Sequence, residues 1–486
     1  MPDDRVRVRY APSPTGDPHV GNIRTALFAW LFARHTGGDF IVRIEDTDTA
    51  RTQEGSLEAI LESLRWLGLE WDEGPEVGGP HSPYVQSQRR ELYQNAARSL
   101  VEAGHAYYCH CTPERLHEMR KEQQRLKQPT GYDRLCREAG RGPDGDPSPV
   151  VRFKMPLEGE TTFNDLIRGE VTFANATVDD FVMLKSDGYP TYHLASTVDD
   201  HLMDISHVLR AEEWLPSTPR HVHLYDALGY DMPLVAHLPI ILGPDKSKLS
   251  KRHGDVALLQ YREMGYLPEA MINFLALLGW SLDNHTELLS RDDLVNNFSI
   301  ERIVRSAAVF NLEKLTWMNG VYIRNLGEEE LAERIAGILD ESLSQEVARP
   351  VSRDYVRSIT PLVRERIRTM TDIPELTDFF FLRDLDYPPA DLVQRGLEPA
   401  DTANALDSTV ERLAGVGEWT AEALEGELRP LAEELNVKTG QLFGAIRVAV
   451  TGRKAAPPLF ETMAVLGRDL CLERLRKAVA SVSTVD

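Results

Sequence analysis

The sequence predicts an α/β chain: a Rossmann-type domain, interrupted by an inserted α+β segment and followed by an all-helical C-terminal part. Three observations carry this. The first 45 residues read strand, loop, helix, strand. A stretch of different character then intervenes before α/β patterning resumes near Tyr189. From about residue 255 the apolar residues recur at helical spacing.

The opening unit is explicit. RVRVRY at 5–10 alternates apolar and charged side chains, as a strand with one wet face would. APSPTGDPHVGN, dense in Pro and Gly, is a loop. Asn22 to His35 places Ala26, Leu27, Trp30 and Leu31 at helical spacing, and Gly37–Gly38 stops the helix. DFIVRIED is a second strand. A βαβ opening predicts a parallel sheet that takes ligands at its strand carboxyl ends. In the insertion, a helix over Ser87–Ala103 leads to YYCHC, and a charged helix follows Thr112–Pro113. Gly140–Pro149 is a linker, and VVRFKM, EVTFAN and FVMLKS read as strands. VAHLPIIL is a further strand ahead of the loop GPDKSKLSKRHG. PEAMINFLALLGW, FNLEKLTWMNG and TAEALEGELRPLAEEL are amphipathic helices, the last with Leu424, Leu428, Leu431 and Leu435 on one side.

With 486 residues, three or more domains are expected. No apolar run approaches the ~20 residues that cross a bilayer, and MPDDRVRVRY has no apolar signal core, so a cytoplasmic chain without membrane association is expected. Four cysteines in this length are no disulfide framework. A net charge of −22 argues against a nonspecific nucleic-acid binder but allows one specific RNA partner on a local basic surface. Arg115–Lys127, Lys246–His253 and Arg364–Arg368 are the basic stretches. Each reads equally as a solvated face.

Two elements carry nucleotide chemistry. PSPTGDPHVGN puts His19 and Gly21 at a strand-to-helix junction, where free N–H groups and the helix dipole favour phosphate. Gly21 permits close backbone approach, and His19 can donate to a phosphate oxygen. Lys248-Leu249-Ser250-Lys251-Arg252 gathers ammonium groups that triphosphate oxygens would neutralise. Singly, each is also an ordinary turn or a solvated basic loop.

Together, HVGN and KLSKR resemble the His-Ile-Gly-His and Lys-Met-Ser-Lys-Ser signatures of class I aminoacyl-tRNA synthetases. RIEDTD, EGPEVGGPHSPYVQSQR, LKSDGYPTYHLA and HVLRAEEWLPSTPRH resemble the bacterial glutamyl-tRNA synthetases, as does WMNG at 317–320. The resemblance spans essentially the whole chain. It implies a catalytic domain in two halves, 1–85 and 191–254, around an inserted acceptor-end-binding domain, 86–190. It further implies a stem-contact helical domain, 255–322, and two helical anticodon-binding domains, 323–375 and 376–486.

By that resemblance His19, Lys248 and Lys251 are catalytic, and His19, Gly21, Glu213, Lys248, Ser250, Lys251 and Arg252 bind ATP with Mg²⁺. Arg9, Ala11, Ser13, Glu45, Tyr192, Arg210 and Trp214 bind L-glutamate. Guanidinium groups suit its carboxylates, and Glu45 suits its ammonium. Ser196 stands where many members carry Asn and receives no role. Arg51, Arg364, Arg366 and Arg447 contact tRNA(Glu), and Arg366 resembles the mark of enzymes that reject tRNA(Gln). The implied activity is tRNA-dependent glutamate activation by a monomer. Cys109, Cys111, Tyr132 and Cys136 resemble the zinc site of some members. His110 is an alternative to Tyr132, although its side chain alternates away from its two neighbours. Rival readings are a glutamyl-queuosine enzyme, which lacks the helical half, a small-molecule nucleotidyltransferase, and a non-enzymatic RNA-binding module.

Overall fold

A computed structural model describes residues 5–145, 148–250 and 256–483. The chain divides into two compact units, residues 1–262 with 268–315, and residues 263–267 with 316–486.

The first unit opens with β1 (Arg7–Tyr10), α1 (Val20–Thr36), β2 (Asp39–Val42) and α2 (Ser56–Trp66). It continues through α3 (Arg90–Glu102), β3 (Ala106–Cys109), α4 (Pro113–Arg125), β4 (Val150–Phe153), β5 (Glu160–Asp165), β6 (Gly169–Ala174) and β7 (Val182–Leu184). Then come α5 (Tyr192–Leu202), β8 (His207–Ala211), α6 (Thr218–Leu228), β9 (Leu234–Leu238) and β10 (Ile241–Leu242). The sheet order is β2-β1-β8-β9-β5-β6, parallel except for the β5–β6 hairpin. Consecutive strands β1 and β2 lie to one side and β8 and β9 to the other. Their carboxyl ends therefore open a crevice at the β1–β8 switch point, where open α/β sheets bind ligands.

Helix α1 begins two residues before Asn22 and ends at Gly37 in the left-handed conformation, φ 66°. A glycine takes that conformation without a Cβ penalty, which makes the stop sharp. β1 departs from the expected wet face. All of Val8, Arg9 and Tyr10 are buried, because Arg9 is ion-paired inside the domain rather than solvated. VAHLPIIL also departs from one continuous strand. Pro239 has no N–H to give the ladder, so the run splits into β9 and β10.

In the inserted stretch, β3, β4 and β7 form a separate antiparallel sheet. Its core joins Leu100, Phe153 and Met183 to Leu194 and Val198 of α5. The β5–β6 hairpin, by contrast, extends the edge of the parallel sheet through Asp165 and Val235. Thr112 caps α4 by accepting from the Arg115 N–H, and Pro113 starts the helix.

Beyond β10 the elements are α7 (Leu258–Glu263), α8 (Pro268–Leu277), α9 (Arg291–Asn297), β11 (Ala308–Val309), which pairs with β10, and α10 (Leu312–Asn325). The second unit is helical throughout its described residues: α11 (Glu328–Ser342), α12 (Arg353–Val363), α13 (Ile373–Thr377), α14 (Pro399–Ala414), α15 (Ala421–Glu434), α16 (Thr439–Thr451), α17 (Leu459–Leu466) and α18 (Arg468–Val482). Leu424, Leu428 and Leu431 form the buried stripe of α15. Among the described residues no helix is long and apolar enough to cross a membrane.

Candidate active site

The crevice at the β1–β8 switch point is a cavity of about 680 Å³. Residues after β1 (Ala11, Ser13, Thr15), after β2 (Glu45, Thr47, Asp48) and at the end of β8 (Arg210, Glu213, Trp214) line it, with Tyr192 at the start of α5. Every residue expected to hold an amino acid is thus on one wall or another.

Charge inside this site is arranged in two ways. On one side lies a buried ion network. Arg9 donates to Asp200 from Nε at 3.1 Å and Nη2 at 3.4 Å. Arg43 donates to Asp200 at 2.7 Å and to Glu45 at 3.1 Å. Asp199 accepts from Arg89, Gln86 and Tyr93. Three arginines offset three carboxylates, which lets all six stay buried. Desolvation pushes the Glu45 carboxyl up to about 6, against the pull of Arg43 and Arg9. Asp200 goes the other way: the two guanidinium groups outweigh its burial and hold it below the usual range.

On the other side Arg210 is equally buried but has no carboxylate partner among the described residues. Its Nε donates to His237 Nε2 at 2.9 Å, Nη1 to Tyr192 Oη at 3.2 Å and His221 Nδ1 at 3.3 Å, and Nη2 to Thr218 Oγ1 at 2.9 Å. The guanidinium borders the cavity without a direct ion pair, and the nearest link to an acid among its bonded partners runs through His237 to Asp165. A buried cation with only neutral partners is disposed to take an anionic ligand.

Each signature element adjoins a residue of the cavity wall, His19 leading into Asn22 and Thr25 of α1 and Lys248 reaching Glu213. His19 is the exposed N-cap of α1. The Pro18 carbonyl accepts from the Leu258 N–H at 2.9 Å, and residue 19 bridges Ala257. Lys248 follows a turn closed by Gly243 and Ser247, and its backbone makes an isolated antiparallel bridge to Leu242. Its ammonium pairs with Glu213 at 2.9 Å, both groups being exposed. Lys251 and Arg252 lie outside the described residues. Arg51 also borders the cavity and pairs with Asp48 at 2.6 Å.

The three clustered cysteines converge. The Sγ atoms of Cys109, Cys111 and Cys136 lie within 4.8 Å of one another. Tyr132 Oη is 3.3 Å from Cys109 Sγ and 3.5 Å from Cys111 Sγ. The His110 ring instead reaches the Gly142 carbonyl at 3.0 Å, so the alternation along this strand turns it away.

The remaining expected contacts lie in the second unit. Arg364 is spent on backbone: it donates to the Arg324 carbonyl at 2.9 Å and to that of Leu326. Arg366 is exposed on the turn after α12 and gives one Nη2 bond, 3.1 Å, to the Ala456 carbonyl. Arg447 is half-buried on α16, its Nε without a partner.

Sequence reading missed Arg43, Asp199, Asp200, His221 and His237. Arg43 and Glu45 left one signal: two residues apart in an extended segment, they share a face. Asp199 and Asp200 left none, because adjacent polar residues on a helix usually face water, and His221 and His237 lie on a helix and a strand with no partner near in sequence.

Residues 5–317 match the family of class I tRNA synthetase catalytic domains of the E and Q type, and residues 326–479 match an anticodon-binding domain. A glutamate–tRNA ligase of Dehalococcoides mccartyi is 56% identical over 480 residues, covering 99% of this chain and 98% of that one. One from a Roseiflexus species is 50% identical over 493 residues, covering 99% and 97%. The crystal structure of a glutamate–tRNA ligase from Elizabethkingia meningosepticum, solved with its amino acid, superimposes with a TM-score of 0.87 at 36% identity, covering 98% of this chain and 99% of that one. The chain therefore belongs to the class I aminoacyl-tRNA synthetases of the glutamate and glutamine type. Within that class it is an enzyme of the glutamate–tRNA ligase family.

Proposed function

We propose that this enzyme activates L-glutamate with Mg²⁺–ATP and transfers it to the 3′-terminal adenosine of tRNA(Glu), discriminating against tRNA(Gln). The observation that carries the reading is one cavity lined both by Arg210, a buried cation with neutral partners, and by Glu45, which belongs to a balanced network. A glutamate has one carboxylate more than most amino acids, and this site has one guanidinium without a direct carboxylate partner to meet it.

In the first step the glutamate α-carboxylate attacks the α-phosphorus of ATP in line. A mixed anhydride forms and pyrophosphate leaves. The 2′-hydroxyl of the terminal adenosine then attacks the anhydride carbonyl, and AMP leaves. No protein nucleophile is needed; positioning and charge stabilisation supply the rate. Arg210, Arg9 and Tyr192 orient the carboxylates, Glu45 the ammonium, and Ala11, Ser13 and Trp214 shape the pocket. His19, Gly21 and the start of α1 receive phosphate oxygens, joined by Lys248, Ser250, Lys251 and Arg252. Glu213 holds Lys248 until the triphosphate displaces it.

We assign the tRNA acceptor end to the inserted domain, the stem to the helices after residue 255, and the anticodon to the two helical domains beyond residue 322. Activation waits for bound tRNA, and the enzyme works as a cytoplasmic monomer. Zinc suits the cysteine cluster. Two sulfurs on a tetrahedral zinc with bonds of ~2.3 Å stand about 3.8 Å apart, and a sulfur and an oxygen about 3.5 Å. Cys111 and Cys136 are 3.6 Å apart, and Tyr132 Oη is 3.5 Å from Cys111. Burial and the neighbouring thiols push the Tyr132 hydroxyl up, against the Cys136 N–H that donates to its Oη, so that a bound cation is what would ionise it as a ligand. Bound there, zinc supplies structure.

Discrimination rests on Arg366. Its one backbone bond leaves donors for an anticodon base. Five donors and no acceptor suit the acceptors of cytosine at the third anticodon position, and oppose the N–H donors of guanine. The test is charging of purified tRNA(Glu) and tRNA(Gln) by the wild type and Arg366→Gln. Glutamylation of tRNA(Glu) alone by the wild type, with tRNA(Gln) admitted by the variant, is expected. Equal charging of both by the wild type refutes discrimination; discrimination surviving the substitution refutes the residue.

A further inference from the structure

The partners of Arg210 form a directed chain of hydrogen bonds. Asp165 sits on the last residue of β5. One of its carboxylate oxygens accepts from the Ile167 and Arg168 N–H groups at 2.9 and 2.7 Å. The other accepts from the His237 backbone N–H at 3.0 Å and lies 2.6 Å from His237 Nδ1. An ionised carboxylate only accepts, so Nδ1 carries the proton. His237 Nε2 is then a bare lone pair, and it faces the Arg210 Nε–H at 2.9 Å. The same logic runs through His221. Its Nδ1 accepts from Arg210 Nη1, so its Nε2 carries the proton and donates to His193 Nδ1 at 3.0 Å.

All three imidazoles are held neutral. Burial and the neighbouring guanidinium groups push His193 down to about 3 and His221 well below its ordinary value. Burial likewise lowers His237. His237 and Asp165 are fully buried. The cavity does not reach His237 either. Away from the cavity, buried Arg24 and Arg474 donate to backbone carbonyls, but at the site itself Arg9 and Arg43 are held by carboxylates. Arg210 is held by neutral acceptors instead.

We propose that His237, fixed by Asp165 as its Nδ1–H tautomer, is a positioning and specificity-determining residue that orients Arg210 without a direct ion pair, so that the guanidinium is left to pair with the side-chain carboxylate of the substrate. This rests on the reading that Arg210 meets that carboxylate. A carboxylate in place of the imidazole would hold the guanidinium as firmly and cancel its charge. The site would then lose its reason to prefer glutamate to glutamine, the uncharged isostere.

The experiment measures kcat and KM for glutamate, for glutamine and for ATP in tRNA-dependent ATP–pyrophosphate exchange. The variants are His237→Gln, His237→Glu, Asp165→Asn and Arg210→Gln. His237→Gln keeps a neutral acceptor near Arg210, whereas His237→Glu sets a carboxylate against it. The glutamate KM is expected to rise about 10- to 100-fold in His237→Glu, the scale of a lost charge-assisted contact, and much less in His237→Gln. The glutamate-to-glutamine ratio of kcat/KM should collapse in His237→Glu only, with the ATP KM within about twofold of wild type in both. Asp165→Asn, which frees the imidazole to present Nε2–H to Arg210, should raise the glutamate KM with the ATP KM preserved. It serves where the Glu variant does not fold. Equal impairment in the Gln and Glu variants, or an unchanged glutamate-to-glutamine ratio, overturns the proposal and leaves His237 a packing residue. An unchanged glutamate KM in Arg210→Gln overturns the underlying reading of Arg210 instead.

Discussion

At the scale of single residues, Glu45 links burial to pH. Its carboxyl is pushed up to about 6 by desolvation, with Arg43 and Arg9 pulling the other way. Only the ionised form attracts an ammonium group. As pH falls through about 6 the group protonates and the attraction is lost, so affinity for glutamate should be full above pH 7 and decline below 6. Free glutamate changes neither its ammonium nor its carboxylates over this window, with carboxyl groups near 4 and below. The expected result is a glutamate KM that rises as pH falls from 7 to 5 in the wild type and stays flat in Glu45→Gln; parallel profiles would remove Glu45 from the ammonium site. Glu45 was legible in the sequence only through resemblance, as were Arg9 and Arg210. What could not be read is how they differ. Arg9 and Arg210 are both arginines on parallel strands, yet among the described residues one pairs directly with Asp200 and the other with no carboxylate. That distinction depends on Asp200 and His237, which are 191 and 27 residues away along the chain.

At the scale of elements, local chemistry was a good guide where it ended a helix and a poor one where tertiary structure decided. Gly37 stops α1 and Thr112–Pro113 starts α4 as their residue types dictate. The alternation of RVRVRY predicts a half-wet strand, but Arg9 is buried against Asp200 and Arg7 is largely covered by its pairs with Asp39 and Glu73, which leaves Arg5 alone exposed. The β5–β6 hairpin looked like part of the insertion but hydrogen-bonds to the parallel sheet through a single pairing, Asp165 with Val235, which no local pattern announces. The cysteine cluster is the opposite case: the CxC spacing and the turn holding Tyr132 and Cys136 bring the atoms together as the motif implied. Protein purified without chelator should carry close to one equivalent of zinc. Cys136→Ser should lose it and unfold the inserted segment first, seen as a low-temperature transition absent from the wild type, because a metal bound only by the folded site stabilises that site. Metal-free wild type of unchanged thermal stability would contradict the assignment.

At the scale of the molecule, an acidic chain of net charge −22 works on a polyanion. The division into an α/β unit with the cavity and a second unit helical in its described residues accounts for this, since the chemistry and the anticodon contacts need not share one charged surface. Length and helical periodicity made that division legible. The set of neutral partners around Arg210 was not, because it is a property of the assembled site. The central claim is that the Arg210 cavity activates glutamate when tRNA is bound. The most direct test is ATP–pyrophosphate exchange by the purified full chain, with glutamate or glutamine, with and without tRNA(Glu). The account predicts exchange with glutamate only, and only when tRNA(Glu) is present; exchange that runs equally well with glutamine, or none with glutamate and tRNA(Glu) together, would contradict it.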